Sequence, residues 1–127
     1  MKFAYDTHRY FPPAPHVEIR LGLPDASLAA GPLPAFVDTG ADVSLVPVRY
    51  IDQLGAEAEN QQYLRSQWGE RRKVDVYVLD IGIGDARLPA IKVVGDDLSN
   101  EIILGRDVLN QLIVTLNGPK RFLEINA

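Results

Sequence analysis

The chain has 127 residues, 46% of them hydrophobic, which is enough to bury one core, so we expect a single domain over residues 1–127. Its formal net charge of −4 gives no general attraction for nucleic acids or anionic membrane surfaces, and neither is expected as a partner. Because there is no cysteine, disulfides, thiolate catalysis and cysteine-based metal sites are excluded.

The first fifteen residues are predicted to form an extended N-terminal arm. Pro12, Pro13 and Pro15 remove three backbone donors, so this stretch cannot occupy the centre of a sheet. Met1–Tyr10 carries polar and charged residues where a signal peptide would have its apolar segment, and no apolar run approaches the roughly 20 residues that span a bilayer. A cytoplasmic protein is therefore expected.

A carboxylate follows the second predicted strand. His16–Leu21 alternates polar and apolar side chains, as a half-buried strand does, and a loop over Leu23–Pro34 leads to the apolar strand Ala35–Val37. Asp38 comes next, and Gly40 supplies the backbone freedom of a tight turn. A carboxylate at such a strand end can accept N–H groups of the turn while staying partly shielded from water, and both influences shift a pKa. Asp38 is therefore a candidate acid or base.

The middle of the chain is predicted to contain a short strand, a helical turn and a long hairpin. Val43–Val46 is β-prone, and Val48–Leu54 is interpreted as a helical turn or short helix that ends at Gly55. Residues 60–80 have β-formers on both sides of Gly69, which predicts a hairpin with its tip at this glycine.

The last third returns to strands. Leu88–Val94 and Glu101–Leu104 are β-prone, and Asp107–Leu112 is interpreted as a short helix. Ile113–Leu116 and Arg121–Ile125 are predicted to be the final two strands, joined by a turn that contains Asn, Gly and Pro. Short strands and turns therefore dominate the chain.

Part of the first motif recurs near the end of the chain. Gly40-Ala41-Asp42-Val43 returns 65 residues later as Gly105-Arg106-Asp107-Val108, and each copy lies between apolar segments. Aligning the copies places Ile103 at the position of Asp38, so the second copy has no carboxylate there. If the copies pack about a local pseudo-twofold axis, each chain supplies one reactive aspartate, and a paired site needs a second chain.

Together the two motifs resemble those of the retropepsins, the single-domain homodimeric class of aspartic proteases found in retroviruses and, in related forms, in cells. They are Asp38-Thr39-Gly40-Ala41 after an apolar strand, and Ile102–Asp107, which closes the ψ-shaped loop of that family. The resemblance implies an all-β closed barrel with one short C-terminal helix. It also implies a homodimeric aspartic endopeptidase, in which two copies of Asp38 activate a water molecule to hydrolyse a peptide substrate, with no cofactor and no metal.

The same resemblance implies roles for the residues around the catalytic aspartate. Thr39 would hydrogen-bond across to the other subunit, and Gly40 would let the backbone approach the carboxylates. Ala41 and Asp42 would line the substrate cleft, and Asp42 would also form a structural ion pair with Arg106. For the charged residues the alternative is a solvated surface position.

Two further expectations concern the hairpin and the chain ends. In retropepsins the hairpin between the two motifs is the flap that closes over bound peptide, which implies that Trp68 and Gly69 lie in the substrate cleft; the alternative is a Trp68 that packs in the core. The chain ends of that family interleave with those of the partner, so we expect Phe122, Leu123 and Ile125 at or near the dimer interface. The alternative is that they close the sheet of their own chain.

Other chemistries find less support in the sequence. His8 and His16 show no spacing with acidic residues that suggests a zinc site, and the serines lack the Gly-x-Ser-x-Gly setting of a nucleophile. Arg71-Arg72-Lys73 is interpreted as a solvated edge that discourages strand aggregation, and not as a nucleic-acid contact. The alternative to a protease is a catalytically silent member of the same fold that serves as a dimerisation or peptide-binding module.

Overall fold

The computed structural model describes residues 1–66 and 68–126. Within these ranges, short strands dominate and two short helices interrupt them. The strands are β1 (Lys2–Ala4), β2 (His16–Gly22), β3 (Ala30–Val37), β4 (Leu45–Pro47), β5 (Asn60–Arg65), β6 (Arg71–Ile83), β7 (Ala86–Asp96), β8 (Ile102–Leu104), β9 (Ile113–Asn117) and β10 (Phe122–Asn126), and the helices are α1 (Val48–Leu54) and α2 (Arg106–Leu109).

Six strands form a closed barrel. The larger sheet has the order β2-β3-β8-β4-β7-β6-β5, and an additional pairing of β2 with β6 joins its two ends, so that β5 lies outside the ring. The predicted all-β, retropepsin-like closed barrel is therefore confirmed. The fold prediction counted one short helix, which corresponds to α2. The helical turn or short helix interpreted at Val48–Leu54 is present as α1, and Gly55 caps its end in the left-handed conformation with φ of 70°.

The core fills the inside of this barrel. Val17, Ile19 and Leu21 alternate with exposed residues along β2 and are fully buried, as the predicted period of two requires. The other large side chains of the core come from the remaining barrel strands, from the two helices and from β10, and include Val46, Ile51, Leu79, Ile81, Val93, Ile102, Leu104 and Leu123. Each such side chain stabilises the fold by roughly 1.5–3 kcal/mol through burial of apolar surface.

Strand β3 begins earlier than the sequence indicated. Leu23–Pro34 was expected to be a loop, but the strand starts at Ala30 and contains two prolines, Pro32 and Pro34. This first half of β3 pairs with β2 alone, because β8 joins only at Ala35–Val37. A proline is tolerated where one edge of the strand is open, since no ladder bond is lost there.

The first fifteen residues are not extended throughout. Strand β1 pairs with β10, and a bridge between Asp6 and Ala14 closes the intervening residues into a loop. The reason is a local one: the Asp6 carboxylate accepts the backbone N–H groups of His8 and Arg9 and pairs with the Arg9 guanidinium at 2.6 Å. The Arg9 N–H above all holds the pKa of the Asp6 carboxyl far below its usual range.

The two chain ends meet in a separate three-stranded sheet of order β1-β10-β9. The side chains of Leu123 and Ile125 are buried within the sheet of their own chain, and a place at or near a dimer interface stays a prediction. Phe122 is half-buried, with the Lys2 ammonium 4.8 Å from the centre of its ring. Within the single chain, the terminal strands close the chain's own sheet.

A buried carboxylate organises the β6–β7 side of the barrel. Asp80 is 1% exposed and accepts the N–H groups of Asp25 and Ala90 at 3.1 and 2.8 Å, besides an ion pair with Arg87 at 2.8 Å. Asp25 and Ala90 both have positive φ, a conformation that costs energy in residues with a side chain. The Ala90 N–H, more than the adjacent Arg87, keeps the pKa of the Asp80 carboxyl below its ordinary value.

None of the helices in the part of the chain that the structure describes is long and apolar enough to cross a membrane.

Replacement of Asp80 by Asn should lower the free energy of unfolding at neutral pH by about 1–3 kcal/mol, because the amide group turns a donor toward N–H groups that then lack an acceptor. The pKa of Asp80 is lowered on folding, so its ionised form stabilises the folded state. This contribution is complete above the unfolded pKa of about 3.9 and disappears as the pH falls through the lower folded pKa. Urea denaturation at several pH values measures it.

The matched control is Asp85→Asn, which removes the same charge from an exposed turn between β6 and β7. It should leave stability within about 0.5 kcal/mol of the wild type. An equal loss in both variants, or a difference between Asp80→Asn and wild type that does not shrink in acid, would contradict the assigned role.

Candidate active site

Asp38 lies at the open end of a strand in the wall of the barrel. It directly follows β3, and its backbone N–H donates to the carbonyl oxygen of Leu104 at 3.0 Å, which continues the parallel pairing of β3 with β8 by one residue. The side chain is half-buried. The first motif thus places a partly shielded carboxylate where the chain turns away from the sheet.

The turn after Asp38 holds this carboxylate with a backbone donor. The Gly40 N–H donates to Asp38 Oδ1 at 2.9 Å, and the Ala41 N–H donates to the Asp38 carbonyl oxygen at 3.2 Å. A Cβ atom at Gly40 would lie 3.2 Å from Asp38 Oδ1, which is closer than a side chain ordinarily approaches. Glycine at this position therefore leaves space beside the carboxylate.

Arg106 connects the two motifs. Its guanidinium forms an ion pair with Asp42 and also donates to the carbonyl oxygen of Thr39 at 2.9 Å, while its backbone N–H donates to the Ala41 carbonyl oxygen at 2.8 Å. Both charged side chains are largely exposed, so the ion pair itself contributes at most about 1 kcal/mol. The two bonds to carbonyl oxygens are the part of this contact that shapes the turn after Asp38.

Gly105 allows the two loops to interlock. A Cβ atom built on Gly105 would lie 2.7 Å from the carbonyl oxygen of Val43 and 2.8 Å from that of Ala41. Side chains do not approach backbone oxygens so closely, so only glycine fits between the loops. This gives a steric reason for the glycine in the second copy of the repeat.

Sequence analysis missed the polar pair that joins these loops. Ser44 is fully buried; its hydroxyl donates to Asp107 Oδ1 at 2.7 Å and accepts the Gly105 N–H at 3.0 Å, and its backbone N–H donates to Asp107 Oδ2 at 3.0 Å. Asp107 was assigned only to the short helix. Two features of the sequence could have indicated the pair. Ser44 is a polar residue inside the β-prone segment Val43–Val46, and Asp107 is the acid that recurs in the second copy of the repeat.

A cleft of about 490 Å³ lies under the hairpin formed by β5 and β6. Its lining comes from the hairpin, from β4 and β7, and from the loop that follows β7. These residues are Leu45, Leu64, Arg65, Ser66, Glu70, Arg71, Arg72, Val94, Asp96 and Leu98. Apolar side chains from β4, β5 and β7 thus meet charged side chains from the hairpin and its turn.

The residues predicted to line the cleft are not among those that line it in the single chain. Ala41 and Asp42 lie in the turn after Asp38, and Trp68 and Gly69 lie in the turn of the hairpin. Trp68 is 81% exposed, so the alternative in which it packs in the core is wrong. Gly69 has φ of 83°, which the hairpin turn requires of it.

The residues that the structure describes contain no group of three or more His, Asp or Glu side chains that could hold a metal ion. At the turn after β3, the functional group is the Asp38 carboxylate, which accepts the Gly40 N–H.

Comparison with known proteins gives one family. Residues 25–111, which contain both motifs, match the family model described as "gag-polyprotein putative aspartyl protease". No curated protein sequence matches the chain.

Solved structures share the fold at low sequence identity. A retropepsin-like aspartic protease from Rickettsia conorii superposes with a TM-score of 0.66 at 16% identity, over 100% of this chain and 92% of the other. EIAV protease in complex with the inhibitor HBY-793 superposes with a TM-score of 0.58 at 18% identity, over 86% of this chain and 93% of the other. The retroviral protease-like domain of Ddi1 from Leishmania major superposes with a TM-score of 0.53 at 17% identity, over 87% of this chain and 88% of the other.

Replacement of Ser44 by Ala should lower the free energy of unfolding by about 1–3 kcal/mol, because it leaves the Gly105 N–H without an acceptor and removes a donor from Asp107. Guanidinium denaturation measures the change. Ser27→Ala, at an exposed loop position, is the control and should stay within about 0.5 kcal/mol of the wild type. A neutral Ser44→Ala would show that the loops interlock without this hydroxyl.

Proposed function

We propose that this chain, which belongs to the gag-polyprotein aspartyl protease family, is an aspartic endopeptidase that acts as a homodimer. The observation that carries the proposal is the Asp38 carboxylate, half-buried at the open end of β3 and bonded to the Gly40 N–H. It lies in the motif that resembles the catalytic motif of the retropepsins.

The chain supplies one such acid, because Ile103 occupies the equivalent place in the second motif. Two copies of Asp38 brought together by a twofold axis would share one proton, since two neighbouring carboxylates cannot both ionise cheaply; this is the known behaviour of aspartic proteases. The ionised member takes a proton from a water molecule, whose oxygen attacks the peptide carbonyl carbon. The protonated member donates to the carbonyl oxygen as it gains charge, and the intermediate then breaks to acid and amine.

Thr39 and Gly40 support this site in the proposal. The Gly40 N–H orients the carboxylate, and Thr39 is exposed at the same turn, where it can contact the second subunit. The hairpin of β5 and β6 serves as the flap, with Trp68 and Gly69 in its turn. The apolar lining of the cleft, with Leu45, Leu64 and Val94, favours extended peptides that carry bulky apolar side chains.

The terminal sheet offers a surface for the second copy. Strand β9 is one of the two outer strands of this sheet, with β1 the other, and it has no hydrogen-bonded neighbour on its other side among residues 1–66 and 68–126. It exposes two large apolar side chains, Ile113 at 63% and Leu116 at 48%. An open apolar edge pairs readily with a second strand, and a twofold axis would present the same edge from both subunits. We assign this edge to the homodimer interface.

Replacement of Asp38 by Asn should reduce peptide cleavage by about 10²–10⁴-fold or more, because a dyad of amides can neither take nor give the proton. Cleavage of a peptide library from acidic to neutral pH, with and without a statine-type inhibitor, measures it. Asp85→Asn removes an exposed carboxylate far along the chain and should cleave as the wild type does.

Cleavage that persists in the Asp38→Asn variant would exclude the dyad. A wild-type protein that binds peptides but cleaves none would instead support the catalytically silent module.

Substitution of Ile113 and Leu116 by Lys should shift the protein from dimer to monomer at micromolar concentration, because charges on an open edge oppose strand pairing. Analytical ultracentrifugation measures the shift, and cleavage should fall in parallel. Gln53→Lys with Ala58→Lys adds the same two charges at exposed positions and should keep the dimer. A wild-type chain that is monomeric and still cleaves would contradict the proposed assembly.

A further inference from the structure

The hairpin of β5 and β6 is a basic segment in an acidic protein. Residues 60–76, the paired part of the hairpin with its turn, contain four of the thirteen Lys and Arg side chains and two acids, Glu70 and Asp75, so this stretch carries a formal charge of +2 in a chain of −4. The surplus of positive charge is therefore concentrated on one element.

Three of these cations share one face of the hairpin. Arg65 lies directly opposite Arg71 in the register of the two strands, and Lys73 lies opposite Tyr63. Since side chains alternate along a strand, these four residues point to the same side. The Arg71 guanidinium is 4.4 Å from the centre of the Tyr63 ring. We call this surface, formed by Tyr63, Arg65, Arg71 and Lys73, the basic face.

The cations of the basic face lack ion-pair partners within the part of the chain that the structure describes. Arg72, on the opposite face, pairs with Asp97 at 3.0 Å, but no carboxylate among residues 1–66 and 68–126 lies within ion-pairing distance of Arg65, Arg71 or Lys73. Like charges directly opposite each other destabilise a strand pair. Asp75 lies on the same side of β6, but its carboxylate accepts the Gln61 side-chain amide at 2.9 Å. Arg65 and Arg71 are therefore left without a carboxylate partner, and a bound anion would supply one.

The position of the basic face indicates what kind of anionic ligand would bind there. Arg65 and Arg71 also line the cleft under the hairpin, and the exposed Trp68 lies in the turn between them. An anionic group bound by Arg65 and Arg71, where the basic face meets the rim of the cleft, would therefore lie next to whatever chain occupies the cleft. A nucleic acid is disfavoured, because the face has only three cations and its one aromatic ring is already covered by Arg71.

We propose that the basic face docks an acidic segment of the protein substrate, adjacent to the apolar stretch that enters the cleft. The inference rests on the proposed endopeptidase function and adds a substrate class to it: a peptide whose cleavable apolar stretch is flanked by Asp or Glu. Charges at this rim attract such a segment before it is bound, so they raise the rate of association more than the rate of chemistry.

The test compares two peptides that share one cleavable apolar stretch and differ only in a flanking run of Glu or of Gln. At low ionic strength the Glu peptide should have a kcat/KM about tenfold higher, a preference that falls as salt is added. In the Arg65→Gln, Arg71→Gln double variant the preference should disappear. The matched control, Arg20→Gln with Lys120→Gln, removes two exposed cations outside the hairpin and should keep it.

Thermal unfolding separates docking from folding. The hairpin variant should be at least as stable as the wild type, because it removes two like charges that face each other. Equal kcat/KM for the two peptides in the wild type would overturn the inference, and so would an equal loss of preference in the control variant.

A binding measurement distinguishes this inference from the proposed function. Fluorescence anisotropy of the labelled Glu peptide on the Asp38→Asn variant reports docking without cleavage. If the wild type cleaves neither peptide but the variant binds the Glu peptide better than the Gln peptide, the proposed function fails and the basic face stands. Tighter binding of a single-stranded oligonucleotide than of the Glu peptide would overturn the choice of an acidic peptide.

Discussion

The buried hydroxyl of Ser44 is the contact on which the geometry of the site depends. It donates to Asp107 at the start of α2 and accepts the N–H of Gly105, so one side chain joins the loop after Asp38 to the loop after β8. The N–H of Asp38 bonds to Leu104, the residue just before Gly105. The backbone of Asp38, the proposed catalytic residue, is therefore held by the second motif, although that motif has no acid at the equivalent position. A buried polar network of this kind specifies one arrangement of the loops because any other leaves a donor unpaired.

Asp80 and the proposed catalytic residue Asp38 have different surroundings. Asp80 is fully buried and surrounded by donors, which lowers its pKa and keeps it ionised. Such a group stabilises the fold but exchanges no proton near neutral pH. Asp38 has one backbone donor and a half-exposed side chain. Its other oxygen accepts no hydrogen bond from residues 1–66 and 68–126, as the proposed acid–base role of Asp38 requires.

The free strand edges differ in chemistry. Closure of the barrel leaves β5 outside the ring and β9 at the side of the terminal sheet. Strand β5 is mostly polar and lies opposite the cations of β6, so it resists pairing with another strand. Strand β9 exposes Ile113 and Leu116 instead. One edge thus suits a charged ligand and the other a second copy of the chain, which is the division of roles that the two proposals assign.

The sequence by itself determined that short strands dominate and that Asp38 follows the apolar strand Ala35–Val37, because alternation and turn residues are local signals, and the two motifs supplied the resemblance that implied the barrel. It could not determine the start of β3, since tolerance of Pro32 and Pro34 depends on which edge β8 leaves open. Nor could it determine that the terminal strands pair with each other or that Ser44 contacts Asp107, because both contacts join residues that are distant along the chain. Only the tertiary structure decided these, because hydrogen bonding and burial depend on which segments meet in space.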